Sequence, residues 1–252
     1  MAMTQEELID LVRNGVAENK IISLKTYYLS DYGEMVLKIV AGEILHRFGR
    51  PDLMEVVYTA AKELIMNATK ANVKRIVFHE RGLDPEDAQD YEEVMNTFKA
   101  QLVEQKIRQY KDRFVENGYP VIATFYYDPQ VLNIKVKNNF RLYPEEERRI
   151  RETFARANKF SDLLDFYTHH GDNTEGEGLG ITMVGILLDQ SGIDRHCFTL
   201  ATNPEYNETS ARIEIPLQES YKPRRKRFEE EAQRRGISKD ELRRLFKPSS
   251  RP

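Results

Sequence analysis

The chain has 252 residues, 40% hydrophobic and 31% charged, with thirteen Tyr, twelve Phe and no Trp, a balance that excludes a disordered chain and allows one full domain with appendages. The single cysteine, Cys197, excludes an intramolecular disulfide; no apolar run approaches the roughly 18 residues of a membrane-spanning helix, and the start MAMTQEELIDLV is not a secretory signal, so a cytoplasmic protein with no membrane association is expected. The formal charge of -3 conceals an asymmetry, because residues 220–252 carry twelve Lys/Arg and five Asp/Glu, a local +7 that leaves -10 elsewhere and marks the tail as an interaction segment.

In chain order, Thr4 with Glu7 has capping-box spacing ahead of Leu8, Ile9, Leu11 and Val12, which predicts a short amphipathic helix ending near Gly15. Residues 21–30, IISLKTYYLS, read as a strand, and Tyr32 to Phe48 as a helix broken at Gly49-Arg50-Pro51. A second helix is predicted from about Asp52 to Ala71, followed by a strand, VKRIVF. Residues 79–119 interrupt this α/β pattern with a charged stretch that reads as one inserted helix, starting at a Pro in its first turn and stopping at Gly118. Two antiparallel strands follow, VIATFYYD and VLNIKVKN, joined at Asp128-Pro129-Gln130. Residues 141–175 alternate charged helical and polar loop character. GEGLG then opens the helix ITMVGILLDQ, and CFTLAT with ARIEIPL forms a hairpin. In the tail, Ser238 with Glu241 again has capping-box spacing. The sum is an α+β two-layer sandwich.

The chemistry concentrates in two stretches. In ELIMNATK, Glu63 and Asn67 leave one helical face a turn apart and Lys70 follows three residues later, so a carboxylate, an amide oxygen and an ammonium converge. That set suits a metal nucleotide, with a hard oxygen for Mg²⁺, a base and a cation for phosphate. It is equally the polar stripe of an amphipathic helix, although Asn67 is a poor helix former for mid-helix. In GEGLG, Gly176, Gly178 and Gly180 let backbone approach phosphate at a helix N-terminus; simple tight packing is the alternative.

Taken in this order, the pieces resemble the Bergerat-fold ATPases, the nucleotide-binding family of gyrase, the ninety-kilodalton heat-shock chaperone, histidine kinases and MutL. ELIMNATK resembles the N box of that family, GEGLG its second glycine box, and NETSARIEIPL its closing strand, entered through Thr209-Ser210 where the family often has Gly-Thr. The resemblance spans residues 20–219 with 79–119 as an insertion, between an N-terminal helix at 1–19 and a basic helical extension at 220–252. It implies that ATP and Mg²⁺ are bound, with Asn67 as the metal ligand, Glu63 as the catalytic base and Lys70 on a phosphate. Gly176, Gly178, Leu179, Gly180 and Thr209 would complete the nucleotide site under a lid formed by residues 140–175.

The pattern departs at the first glycine box, where Asp-x-Gly is replaced by Asn138 and Phe140. The Asn138 oxygen can accept from an adenine amino group, while its amide could equally pair with guanine, so the base is left open between purines. Phe140 stiffens the entrance of the lid and argues for slow or no turnover. His46, followed by Arg-Phe-Gly-Arg, lacks the run that follows a phosphoacceptor histidine and reads as a helix-face residue. His169-His170 beside Asp172 reads as solvated lid, and Cys197 as a buried thiol. The arrangement is similar to the stand-alone anti-sigma-type serine kinases. It therefore implies a signalling protein that acts as a protein kinase or as a nucleotide-dependent regulator of a protein partner, with a homodimer allowed. A non-catalytic nucleotide-binding module and nucleic-acid binding through the basic tail stand as alternatives.

Overall fold

The computed structural model describes residues 3–98, 104–157 and 179–246. Helix α1 (Gln5–Ala17) starts at a reciprocal capping box, with Glu7 N donating to Thr4 Oγ1 at 3.2 Å and Thr4 N to Glu7 Oε2 at 2.8 Å. Its buried Leu8, Val12 and Val16 recur every four residues and pack on α2 (Asp31–Arg47), which Ser30 caps. Strand β1 covers Ile22–Thr26, shorter than the apolar run that announces it. Gly49 closes α2 in the left-handed region, φ 66°.

Helix α3 runs from Met54 to Arg81, 28 residues, and ends at Gly82 with φ 64°. The expected strand VKRIVF is therefore the last part of this helix. Its β-branched residues suggest a strand by composition, but Val73, Ile76 and Val77 also have i, i+3, i+4 spacing, and no breaker occurs before Gly82. The two halves of α3 face different cores. Val57, Ala60, Ala61, Leu64 and Ile65 join the main core on the sheet, whereas Val73, Ile76, Val77 and Phe78 pack with Tyr91, Val94, Met95, Ile107, Tyr110 and Phe114 in a second one. Tertiary burial thus overrides strand propensity.

The second core explains the insertion, which corrects the expectation of a single helix. The segment forms α4 (Ala88–Phe98), α5 (Glu104–Arg108) and α6 (Lys111–Glu116), closed by Gly118 at φ 64°. Pro85 lies in the preceding turn; the first turn of α4 is held by Asp87 Oδ1, which accepts from Gln89 N and Asp90 N at 2.9 and 3.0 Å.

The five strands form one antiparallel sheet in the order β1-β2-β3-β5-β4, with β2 at Val121–Tyr127, β3 at Val131–Asn138, β4 at Phe198–Asn203 and β5 at Glu208–Pro216. Leu132, Ile134, Val136, Ala123, Phe125, Ile213 and Ile215 point to the helices with period two, so α2, α3 and α8 (Leu179–Gln190) cover one face. Helix α7 (Pro144–Ala157) packs on α8.

The C-terminal extension forms α9 (Arg224–Arg235) and α10 (Lys239–Phe246), with the Ser238–Glu241 capping box in place. Some of its cations are paired within the extension: Glu231 holds Arg234 and Arg235, Glu229 holds Arg225 and Lys239, Glu230 holds Lys222 and Asp240 holds Arg243. Among the described residues no helix is long and apolar enough to cross a membrane.

Candidate functional site

Helix α3 carries the site along its side. Asn67, Ala68, Lys70, Ala71 and Lys74 line a cavity of about 750 Å³, which β3 and β5 floor with Val136, Asn138, Thr209 and Ala211. The far wall comes from α7, inside the expected lid, through Glu146, Arg149, Ile150 and Thr153, and from the inserted α4, absent from the sequence reading of the site, through Tyr91 and Met95. A cavity of this size matches a small-molecule ligand and is mostly apolar with a few placed polar groups.

Helix α8 begins against the Glu63–Asn67 face of α3. A Cβ at Gly180 would stand 2.6 and 2.8 Å from the amide nitrogen and oxygen of Asn67 and 2.9 Å from a Glu63 carboxylate oxygen. Only a glycine lets the helix backbone come that close. Gly180 therefore meets Glu63 and Asn67, and Lys70 faces the same cavity. Gly176 and Gly178 lie outside the described residues, as do His169, His170 and Asp172; Leu179 is the first residue of α8.

Among the described residues, the three α3 residues differ from the charged groups around them in having no hydrogen-bond or ion-pair partner. Asn67 Nδ2 is buried with no hydrogen-bond acceptor, and Glu63 and Lys70 make no hydrogen bond or ion pair among the described residues. An unmet buried N–H costs about 1–3 kcal/mol. Burial raises the pKa of Glu63, an effect that nearby Lys70 and Lys62 offset only in part.

Asn138 and Thr209 stand opposite each other in the β3–β5 register. Thr209 Oγ1 donates to Phe140 O at 2.7 Å. Asn138, 5% exposed, donates through Nδ2 to Ala68 O at 3.0 Å and to Asn72 Oδ1 at 2.6 Å. Asn72, fully buried, passes its own Nδ2 to Tyr119 O at 2.7 Å.

Phe140, at the expected glycine position, is packed edge-on against Tyr119 with ring centroids 5.7 Å apart. It also covers Arg75, whose guanidinium lies 4.5 Å from its ring and 3.8 Å from that of Tyr143. Arg75 reaches Glu146 of α7 in a two-pronged pair at 3.0 and 2.5 Å and donates to Arg141 O at 3.0 Å. Lys74 Nζ meets Glu146 at 3.1 Å and Tyr91 OH at 3.3 Å. Burial opposes the charge of Glu146, yet Lys74 and Arg75 hold its carboxyl down to about 2. They give α7 a fixed seat on the cavity, so this part of the expected lid is a docked helix. The reading of 73–78 as a strand hid both cations; continued at helical spacing, the same residues would have placed Lys74 one turn beyond Lys70.

Cys197 is buried, and burial, with Glu214 and Asp194 nearby, pushes its thiol up to about 12, which makes it inert.

No protein-family model matches the chain, and no solved structure matches it. The chain is similar to an uncharacterised protein of Treponema pallidum (strain Nichols), at 32% identity over 205 residues. That alignment takes in 81% of this chain and 39% of the Treponema protein, so the chain spans about two fifths of the length of the relative it matches.

Proposed function

We propose that the chain binds ATP with Mg²⁺ in a histidine-kinase-like, Bergerat-type pocket and acts as a signalling regulator that phosphorylates a protein partner or holds it according to the nucleotide. The observation that carries this reading is the unpartnered set on α3, the buried Asn67 amide with Glu63 and Lys70 beside it, placed where the α8 backbone closes on them at Gly180. Among the described residues Arg75, Lys74 and Glu146 pair with one another, whereas Asn67 and Lys70, which line a cavity of about 750 Å³, find no such partner.

The residues fit the groups proposed for them. Among the described residues no cluster of three or more His, Cys, Asp or Glu could hold a metal ion by itself. Mg²⁺ needs no such cluster, since it takes one or two protein oxygens and completes its shell with phosphates and water. Asn67 would supply that protein oxygen. When bound, Mg²⁺-ATP supplies an electrophilic phosphorus and its leaving group. The chain's own part is to position and to move a proton. Lys70 presents charge to phosphate oxygens, and Glu63 accepts the proton of a hydroxyl or water brought beside it, a task for which its raised pKa is suited. Thr209 and Asn138 line the same cavity from the sheet side and are the polar groups proposed to meet a base.

A second reading, in which nucleotide is a regulatory ligand without turnover, is favoured by the docking of α7 through Arg75 and Glu146. The extension is less suited to be a free nucleic-acid arm, because ion pairs within it already engage six of its cations.

The test is a thermal-shift panel of adenine and guanine nucleotides with and without Mg²⁺. A nucleotide at 100 times its dissociation constant adds about 2.7 kcal/mol, and Asn67→Ala removes the Mg²⁺-dependent share. Absence of a shift with every purine nucleotide overturns the proposal.

A further inference from the structure

The second face of the sheet gathers charge of one sign. Leu132, Ile134 and Val136 point to the helices, so the alternate residues of β3, Asn133, Lys135 and Lys137, point away from them, as do Tyr126 of β2 and Arg212 of β5. Lys135 and Arg212 are direct cross-strand partners, and like charges so placed cost stability. Glu208 answers both Lys135 and Lys137, at 3.0 and 3.1 Å, one carboxylate to two ammonium groups. Glu214 meets Arg212 only at 3.6 Å, its other oxygen being held by Tyr221 OH and Arg224 N. The extension adds to this charge where it docks. Its contact with Glu214 brings Arg224 near Arg212, and after burial the Arg224 charge is the next cause that lowers the pKa of that guanidinium. Folding thus joins cations remote in sequence on one surface, against their mutual repulsion, and an anion laid across them would relieve it.

The same surface carries an aromatic ring. Tyr126, 38% exposed, stands opposite Asn133, whose Oδ1 accepts from Arg212 Nε at 3.1 Å, so the guanidinium is drawn toward the ring. An acidic protein surface would need the cations alone, whereas an exposed ring beside them suits a polymer that alternates phosphate with planar bases. From these placements we infer that the second face of the sheet, completed by the docked extension, binds single-stranded nucleic acid: phosphates lie along Lys135, Arg212 and Arg224 while a base stacks on Tyr126. This surface lies across the sheet from the cavity and does not depend on the nucleotide reading.

Fluorescence anisotropy of the full chain with a labelled oligouridylate, repeated over a series of salt concentrations, tests this. Wild type binds the strand, and the logarithm of its association constant falls against the logarithm of salt with a slope of about 0.7 for each cation engaged. Arg224→Gln keeps the backbone donor to Glu214, and Lys135→Gln leaves Lys137 on Glu208; each reduces the slope by about 0.7. Tyr126→Ala weakens binding at least about fivefold and leaves the slope as it is. A wild type that does not bind the strand overturns the inference. So does a slope that either cation variant leaves unchanged, because the surface then fails to span sheet and extension. Tyr126→Ala binding as tightly as wild type overturns it as well and marks the face as a site for acidic protein. Should that variant fail to fold, Tyr126→Leu, which keeps bulk and removes the ring, takes its place with the same two outcomes.

Discussion

Glu63 is a carboxylate half withdrawn from water with no hydrogen bond among the described residues to steady its charge, an arrangement that costs stability and is kept where a base is wanted. Burial is the main cause of its raised pKa, with Lys70 and Lys62 acting against it. The pH dependence follows from the sign. A carboxyl whose folded pKa lies above the unfolded one contributes nothing while both states are protonated, and its penalty appears as pH rises through the interval between the two values. Glu63→Gln is therefore expected to melt with wild type near pH 4 and above it near pH 8, with the gap opening between. Melting curves across that range check this, and equal gaps at both ends would contradict the raised pKa. Wherever wild type turns ATP over, the same substitution slows turnover by about 10²- to 10⁴-fold with affinity retained, the effect of losing a general base. Asn67, Lys70 and Gly180 were legible in the sequence because helical spacing and a glycine at a helix start constrain geometry directly. The orphan state of the Asn67 amide was not, since it depends on how closely another element approaches.

At the scale of elements, the hairpins, the capping boxes and the helix ends at Gly49 and Gly118 follow from local chemistry that any window of the chain displays, and they occur where the pattern puts them, whereas α1 runs through Gly15 to Ala17. Besides the insertion, the misread element was the second half of α3, where β-branched residues and helical spacing coincide and only the partner surface, the core around Tyr91 and Phe114, decides between them. That partner is made by the insertion, whose own residues are remote in sequence from the helix they stabilise. Because the strand reading removed Lys74 and Arg75 from the helix, it also concealed the seat of α7. Glu146, 4% exposed, joins α7 to both cations, and removing one partner of such a buried set leaves charge uncompensated at about 3–5 kcal/mol. Glu146→Ala is expected to lose stability of that order and to speed amide hydrogen exchange across 144–157 before the sheet exchanges faster. Acid should act on the same joint. The Glu146 carboxyl is lowered from 4.5 to about 2, so the stability it contributes is complete above about pH 4.5 and drains away as pH falls toward 2. A variant in which residues 144–157 exchange at the wild-type rate would show that the ion pair does not seat α7.

For the whole molecule, the question is whether the basic extension is an arm or a part of the fold, and the sheet answers it. Glu214 alternates with Ile213 and Ile215 on β5, so it projects from the face opposite the helical core, yet it is only 5% exposed. Its cover comes from the extension: Tyr221 OH donates to Glu214 Oε2 at 2.5 Å and Arg224 N, at the start of α9, donates to the same oxygen at 3.0 Å. Beyond that contact Ala232 and Leu242 are buried, at 3% and 0% exposure, which two freely solvated helices would not achieve. The expected two-layer sandwich is thus covered at one place on its second face by residues the charge count assigned to a ligand. Removing residues 220–252 takes away both donors to Glu214 and the burial of the extension's own apolar side chains. Each unmet bond to a buried charged group costs about 1.5–3 kcal/mol, and in a chain of this size about 1 kcal/mol moves the midpoint by roughly 2–4 °C. The truncated chain is expected to melt about 6–24 °C lower, with Glu214→Gln recovering part of the loss because a neutral amide is cheaper to leave without these donors. An arm that merely hangs from the sheet would come off with no change in melting temperature, and calorimetry of the two chains separates the cases.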